Sequence, residues 1–235
     1  MSLLKGTRVT WLGHATVLVE LPSGIKLLID PFIEHNPKFP KNFVLPEKID
    51  YILLTHGHMD HTADVIPIAH KHAATVLGMV ELAGYFAGKG VASTVGFNLG
   101  GTVQLPGVAV TLVEAKHSSS IDEGGASLYL GVAAGLVLTI EDGPVLYHAG
   151  DTSVFRDMEL IRELYAPDLA MLPIGDHYTM GPKEAALAAR YLQPQLILPI
   201  HWGTFPGLTG TPQALAKLVS DPEIVAMLAP GETLD

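Results

Sequence analysis

Runs of apolar residues form two successive series along the chain, and in each series strand-like runs come first and helix-like runs follow. In the first series, alternation and β-branched content predict strands at residues 8–12, 16–21, 25–29, 51–55 and 74–77. Helical spacing of apolar residues predicts helices at 62–72 and 80–87. The uninterrupted apolar run at 51–55 indicates a strand that is buried on both faces.

The second series repeats this order. Strands are predicted at residues 94–97, 102–105, 108–115, 127–130, 135–140, 145–148, 169–173, 195–200 and 224–228. Helices are predicted at 155–165, 182–191 and 212–220. Because strands followed by helix–strand alternation occur twice, we predict one α/β domain over residues 1–235, with two similar halves, sheets inside and helices outside.

Two segments depart from this pattern. Residues 31–48 contain four prolines and few aliphatic residues, which predicts a long loop, and we expect that loop to close over a site as a lid. Residues 124–140 are 17 uncharged residues, but their four glycines and short length indicate buried strands rather than a membrane span. An N-terminus without an apolar signal run leads us to expect a cytoplasmic protein.

Composition narrows the classes of function. Lys and Arg total 14 against 24 Asp and Glu, a formal net charge of −10, which speaks against a protein that binds a nucleic-acid backbone. Hydrophobic residues make up 48% of the chain, enough for a sizeable core. The chain contains no cysteine, which excludes disulfides, thiolate metal sites, iron–sulfur clusters and cysteine nucleophiles.

The densest group of chemically active side chains is Thr55-His-Gly-His-Met-Asp-His61, directly after the strand at 51–55. Imidazole nitrogen and carboxylate oxygen are ligands that Zn²⁺, Fe²⁺ and Mn²⁺ accept. His56 and His58 stand two apart in an extended segment, so their side chains leave the same face. Asp60 and His61 lie where the chain turns into a helix and can serve a neighbouring site. A merely solvated polar loop is the weaker interpretation at this density of ligands.

Three further candidates lie just past the ends of apolar strands, where sites in such sheets usually form: His117, Asp151 and His201. Taken singly, the two histidines would be read as ordinary polar residues. What makes all three candidates is a resemblance to the ligand order of a known family.

The spacing His-x-His-x-Asp-His at a strand end, followed by a lone histidine, an aspartate and a final histidine, resembles the metallo-β-lactamase superfamily of dinuclear metal hydrolases. The resemblance implies a four-layer αββα fold, with two β-sheets sandwiched between helices. It implies that His56, His58 and His117 hold one metal ion and Asp60, His61 and His201 a second. Asp151 would bridge the two ions.

Short sequence motifs extend the resemblance over nearly the whole chain. They are most similar to a group of small bacterial metal-dependent hydrolases related to the ascorbate-6-phosphate lactonases. These motifs occupy residues 11–15, 29–31, 147–152, 176–182 and 199–205. Outside the ligand set, His177 is a candidate substrate contact or proton donor. His14 could equally contact the site or belong to the core. His148 suits a role in supporting the ligands or in core packing. The remaining histidines, His35, His70 and His72, are expected to be solvated.

These features predict a metal-dependent hydrolase with two divalent ions, Zn²⁺ first and Mn²⁺ or Fe²⁺ as alternatives. Asp60 would be a ligand that also orients the attacking water. We expect a small, anionic ester, lactone or phosphodiester as substrate, with Lys38 and Lys41 at the rim, and neither nucleic acid nor membrane as partner. Oligomer formation is left open. An iron-binding redox protein of the same fold, a tRNA-processing nuclease and a non-catalytic metal-binding protein are the alternatives.

Overall fold

The structure, a computed structural model, describes residues 3–235. Its first half contributes strands to one large sheet: β1 Arg8–Trp11, β2 Val17–Glu20, β3 Lys26–Ile29, β4 Tyr51–Leu53, β5 Thr75–Met79 and β6 Thr94–Phe97. The order is β1-β2-β3-β4-β5-β6, with antiparallel pairing from β1 to β3 and parallel pairing from β3 to β6. Helices α1 Met59–Thr62, α2 Val65–His72 and α3 Val80–Gly88 belong to the parallel part.

The second half repeats this arrangement. Its large sheet contains β7 Thr102–Leu105, β8 Val108–Glu114, β11 Ala134–Ile140, β12 Val145–His148, β13 Leu169–Pro173 and β14 Leu196–Ile200. Pairing is antiparallel from β7 through β8 and β11 to β12, and parallel from β12 to β14. Helices α4 Met158–Tyr165, α5 Pro182–Leu192 and α6 Pro212–Ala216 accompany it. Two mixed sheets flanked by helices confirm the predicted αββα fold and its two similar halves.

Alternate residues of one strand serve two different cores, which is the expected consequence of the two-residue period of a β-strand. In β11, Leu136 and Leu138 belong to the core shared by both sheets, together with Trp11 and Leu53 of the first half. Val137 between them belongs to the outer core, against helices α4 to α6. The buried layer between the sheets therefore joins the two halves and brings their strand ends to a common edge.

Some predicted elements were wrong in detail. The helix predicted at 62–72 is two helices, because the Asp64 carboxylate between them accepts hydrogen bonds from the backbone N–H groups of Ile33 and Glu34, at 2.6 and 3.3 Å. No strand forms at 224–228: a 3₁₀ turn, Pro222–Ile224, ends there, and Val225 makes one isolated bridge to Ile197 of the second sheet. A short strand that the pattern missed, β15 Thr233–Leu234, pairs with β1 at the edge of the first sheet.

The uncharged stretch 124–140 divides into an exposed and a buried part. Strand β10 Ala126–Tyr129 pairs with β9 Ser120–Glu123 as a separate hairpin, and all four residues of β10 are exposed. Only β11 is buried, so the expectation of buried strands holds for half of the segment. Among residues 3–235, no helix is long and apolar enough to cross a membrane.

The proline-rich loop at 31–48 is packed against the turn that follows β1. The Asn36 amide donates hydrogen bonds to the carbonyl oxygens of Gly13 and Phe32, at 3.3 and 3.0 Å. A Cβ atom at Gly13, whose φ is +91°, would lie 2.8 Å from the Lys38 carbonyl oxygen, so this close approach of two backbones requires glycine. The loop is thus held beside the strand ends by its own backbone contacts.

Candidate metal centre

The candidate ligands converge at one edge of the sandwich, where strands of both sheets end. The segment after β4 supplies four of them, and single residues after β8, β12 and β14 supply the others: His56, His58, Asp60, His61, His117, Asp151 and His201. Four are buried (His56, His61, Asp151 and His201), whereas the remaining three are partly exposed. All seven residues singled out by sequence pattern therefore meet in one place.

His56, His58 and His117 form the first group, with one ring nitrogen of each within 4.8 Å of the others. Nε2 of His56 lies 3.0 Å from Nδ1 of His58. The Thr55 hydroxyl donates to Oδ2 of Asp30 at 2.6 Å, so it accepts from Nδ1 of His56 at 3.0 Å. The lone pair of His56 is therefore on Nε2, facing the other imidazoles.

Asp60, His61 and His201 form the second group, which also includes His14. Nδ1 of His61 lies 2.8 Å from Oδ2 of Asp30, a carboxylate that can only accept, so Nδ1–H of His61 donates there and its Nε2 faces Asp151. Nε2 of His201 lies 3.8 Å from Oδ2 of Asp60. One possible ligand atom of each residue in this group therefore lies within 4.8 Å of those of the others.

The Asp151 carboxylate lies between the two groups. Its Oδ1 is 3.3 Å from Nε2 of His61, and its Oδ2 is 3.1 Å from Nε2 of His201. The same Oδ2 is 3.6 Å from Nε2 of His117 in the first group and 4.0 Å from Nε2 of His56. Asp151 therefore faces both sets of imidazoles.

Several of these buried atoms have no hydrogen-bond partner: Nε2 of His61, Oδ1 of Asp151 and both ring nitrogens of His201. Buried polar atoms are normally satisfied, so such a group calls for an explanation. Nε2 of His61 and Oδ1 of Asp151 face each other at 3.3 Å, and a proton or a metal ion between them would satisfy both atoms. Imidazole nitrogen and carboxylate oxygen together suit Zn²⁺, Mn²⁺ and Fe²⁺, so the residues fit a metal ion.

The electrostatics of the ligands lead to the same conclusion. Burial, followed by the charge of His61, holds the pKa of His56 well below its usual value. Burial also lowers the pKa of His201, but the Asp151 carboxylate outweighs it and raises that pKa to about 9. For Asp151, burial is outweighed by His201 and His61, and its pKa falls well below the usual range. Without metal, protons on His61 and His201 offset the carboxylates; a metal ion would take their place.

Asp30 belongs to the segment 29–31, one of those that carry the family resemblance, and the structure gives it a supporting role. Its carboxylate is fully buried and accepts hydrogen bonds from the Thr55 backbone N–H, the Thr55 hydroxyl and His61. One oxygen of Asp30 also lies within 4.8 Å of ring nitrogens of His56 and His61, as a metal ligand could. Because both oxygens already accept these hydrogen bonds, the arrangement favours a role in orienting the candidate ligands. The signal that could have found it is its position: a lone aspartate at the end of an apolar strand, on the same edge as the motif.

His14 is the other residue that reaches the centre from outside the motif. Its Nε2 lies 3.0 Å from Oδ2 of Asp60 and its Nδ1 lies 2.9 Å from the Thr204 hydroxyl. Since a carboxylate only accepts, the Nε2–H of His14 donates to Asp60 and Thr204 donates to Nδ1. Burial, followed by the charge of His201, lowers the pKa of His14 to about 4, so the ring is neutral. His14 therefore holds Asp60 in place.

We expect His14→Ala to weaken metal binding by about 10–100-fold, the loss typical of removing a partner that orients a ligand. His14→Gln should recover much of that affinity, because a glutamine amide can donate to Asp60 while its carbonyl accepts from Thr204. Metal affinity measured by titration of the metal-free protein checks this. Equal losses in the two variants would contradict a hydrogen-bonding role.

The other histidines occupy structural positions. Nε2 of His148 donates to the carbonyl oxygen of Ala15 at 2.9 Å, and its Nδ1 accepts from the Gly150 N–H, which confirms a packing role. His35 and His70 are exposed as expected. His72 is only 7% exposed, with Nδ1 3.2 Å from the Glu47 carbonyl oxygen, so its expected solvation was wrong because helix α2 turns it towards the protein.

A cleft of about 550 Å³ opens over the candidate ligands and includes His177. Its lining is His58, Met59, Asp60, His117, Ser118, Asp151, His177, Tyr178, Phe205, Pro206 and Gly207. His177 has a φ of +60° and the preceding Asp176 one of +68°, a strained pair of the kind that functional loops retain. Within the described part of the chain, the loop at 31–48 contributes no residue to this lining. That this loop closes over the cleft as a lid therefore stays a prediction, since none of its residues lines the cleft.

Comparison with known proteins agrees with this geometry. A family model described as the beta-lactamase superfamily domain matches residues 26–202. The chain is 47% identical over 230 residues to a UPF0173 metal-dependent hydrolase of Koribacter versatilis, with 98% of each chain covered. It is 48% identical over 236 residues to one of Herpetosiphon aurantiacus, covering 97% of this chain and 98% of that one.

Among solved structures, a metallo hydrolase from the hyperthermophilic archaeon Ignicoccus hospitalis matches with a TM-score of 0.84 at 35% identity, covering 97% of each chain. Both the family match and the relatives extend over the strands that carry the candidate ligands. The chain belongs to the β-lactamase superfamily and, within it, to the UPF0173 metal-dependent hydrolases.

Proposed function

We propose that this metal-dependent hydrolase uses two divalent metal ions, Zn²⁺ first with Mn²⁺ or Fe²⁺ as alternatives, to cleave a small-molecule ester, lactone or phosphodiester. The observation that carries the proposal is the position of Asp151, whose carboxylate faces both groups of imidazoles while one of its oxygens is buried without a partner. The first ion would be held by His56, His58 and His117, the second by Asp60, His61 and His201. Asp151 would be shared.

When bound, such ions lower the pKa of water towards neutrality and polarise the oxygen of a carbonyl or phosphoryl group. The chain's own residues supply the rest of the chemistry. Asp60 is fixed by His14 but remains partly exposed to the cleft, so one carboxylate oxygen can orient the attacking water. His177 on the cleft wall is our candidate for donating a proton to the leaving group.

Residues 1–235 would form one hydrolase domain, because the core between the sheets contains residues from both of them. A small-molecule substrate follows from the size of the cleft, about 550 Å³, which is within the usual range for small ligands. The net charge of −10 disfavours a nucleic-acid substrate. We further propose that the protein acts in the cytoplasm on small metabolites.

Metal analysis combined with a substrate screen tests the proposal. We expect about two equivalents of zinc or manganese per chain, and metal-dependent turnover of esters, lactones or phosphodiesters. Two equivalents of iron with oxygen-dependent chemistry and no hydrolysis would favour a redox protein instead. Faster cleavage of tRNA precursors than of any small ester would favour a nuclease.

Removing the metal should lower the thermal midpoint without unfolding the chain. The shared core between the sheets needs no metal, whereas ions that bind only the native state add about 2.7 kcal/mol of stability at a hundred times their Kd. Circular dichroism of the chelated protein checks this, with near-native far-ultraviolet signal expected at 25 °C. Complete unfolding on chelation would contradict it.

A further inference from the structure

We propose that the substrate carries an uncharged, apolar group beside the bond that is cleaved, and that Met59, Tyr178 and Phe205 bind this group. The inference rests on the proposed function, since it concerns the substrate of the same centre. It differs from the anionic substrate that the sequence led us to expect.

The cleft has polar residues where the candidate ligands lie and apolar residues around them. Met59 is the first residue of α1, between His58 and Asp60, and 55% of it is exposed. Tyr178 is 61% exposed on the opposite segment. A ligand that covers these side chains removes their apolar surface from water. Each Å² so covered contributes about 25 cal/mol to the free energy of binding.

These apolar side chains are held in defined positions. The ring of Tyr178 lies edge-on to the His177 ring, with centroids 4.3 Å apart. The half-buried Phe205 ring packs edge-on against His14 at 5.6 Å and lies 6.3 Å from the Phe32 ring. His14 also donates a hydrogen bond to Asp60, so Phe205 and the Asp60 carboxylate both contact the same histidine. An apolar group bound there would be fixed relative to the reacting atoms.

Charge argues against a second anionic group on the substrate. Among the described residues that line the cleft there is no lysine or arginine, whereas Asp60 and Asp151 are both present. The lysines expected at the rim, Lys38 and Lys41, belong to the loop at 31–48 and do not line it. Lys116, the neighbour of His117, is paired with Glu114 at 2.7 Å. Outside the candidate metal centre, the described lining of the cleft therefore offers no cationic side chain to a second anionic group, whereas it does offer apolar side chains.

The substrate class that fits is an aryl or medium-chain acyl ester, or a lactone with an alkyl side chain. Turnover of 4-nitrophenyl acetate, butyrate and hexanoate by the metal-loaded protein tests this. We expect kcat/KM to rise about two- to fourfold per added methylene, as burial of each group in an apolar site predicts. Constant or falling values along the series, or faster turnover of the anionic bis(4-nitrophenyl) phosphate, would overturn the inference.

Variants test whether Met59 and Tyr178 cause the preference for longer acyl chains. Met59→Ser and Tyr178→Ser should each bring the ratio of hexanoate to acetate turnover close to one. The control is Leu164→Ser, which changes an apolar residue that is 72% exposed on α4, away from the cleft, and should leave the ratio as in the parent protein. A ratio that survives both cleft substitutions would show that these residues do not bind the acyl group.

Binding without turnover separates the inference from the proposed function. Titration of the metal-free protein with 2-nonanone, an uncharged ketone that cannot be hydrolysed, should show saturable binding that Met59→Ser and Tyr178→Ser weaken at least about fivefold. Leu164→Ser should bind as the parent does. If the metal-loaded protein cleaves no ester, lactone or phosphodiester, the proposed function fails, whereas unsaturable binding, or equal binding in all variants, overturns the apolar subsite itself.

Discussion

Replacing Asp151 by alanine is expected to abolish hydrolysis and to release at least one metal ion per chain. The carboxylate lies within 3.1–4.0 Å of four imidazole nitrogens drawn from both groups, so its removal leaves the two proposed ions without a shared negative charge between them. Turnover should fall by more than the loss of about 10–100-fold that is typical when a residue that only orients ligands is removed. Metal content of the purified variant, measured by mass spectrometry beside the parent protein, checks the structural part.

Two matched variants make that experiment specific. Asp151→Asn keeps the volume of the side chain and removes its charge, so it should also lose metal, though with less disturbance of the fold. Asp157→Ala removes an exposed aspartate at the start of α4 and should retain both metal and turnover. Two equivalents of metal in Asp151→Ala would refute the sharing of this carboxylate.

Replacing Asp30 by alanine is expected to cost about 3–5 kcal/mol of unfolding free energy in the metal-free protein. The substitution leaves two buried N–H groups and one hydroxyl without their acceptor, because Asp30 receives bonds of 2.9, 2.6 and 2.8 Å from the backbone and hydroxyl of Thr55 and from His61. It also removes a residue whose φ of +46° alanine adopts less readily. Urea unfolding measured in the presence of chelator isolates this effect from metal binding.

A second readout distinguishes support of the ligands from general stability. Without Asp30, the rings of His56 and His61 lose the contacts that fix which nitrogen carries the lone pair, so metal affinity should fall about 10–100-fold. Asp30→Asn retains the left-handed backbone preference and one acceptor, and should lie between the parent and Asp30→Ala in both measurements. A change below about 1 kcal/mol in Asp30→Ala, with normal metal affinity, would contradict the role given to this carboxylate.

Much of the fold follows from local patterns. The run at 51–55 is apolar without interruption, and it forms a central strand, β4, flanked by β3 and β5 in parallel. The division of the helix predicted at 62–72 could not be read in the same way, because it depends on Asp64 binding backbone that lies 31 residues earlier in the chain. Strand β15 is two residues long and forms only where β1 offers a free edge.

In the candidate metal centre, too, some residues could be identified from local sequence and others only from the tertiary structure. The motif at 55–61 stands out in sequence because its candidate ligands are neighbours in the chain. The other three were selected because their order resembles that of the metallo-β-lactamase superfamily. His14 and Asp30 carry the same side chains as many structural residues, and what distinguishes them is a partner far away in sequence, Asp60 for one and His61 for the other. Such contacts leave no periodic signal.

The amino-acid sequence determined the fold class, the hydrolase family and the set of candidate ligands, since each depends on residue type, spacing and order along the chain. The tertiary structure decided which residues support the ligands and what surrounds them. It placed Lys38 and Lys41 outside the cleft lining and Met59, Tyr178 and Phe205 within it. The physical reason is that a cleft forms between loops from several strands, so its charge and apolar surface depend on how those loops pack rather than on any one segment.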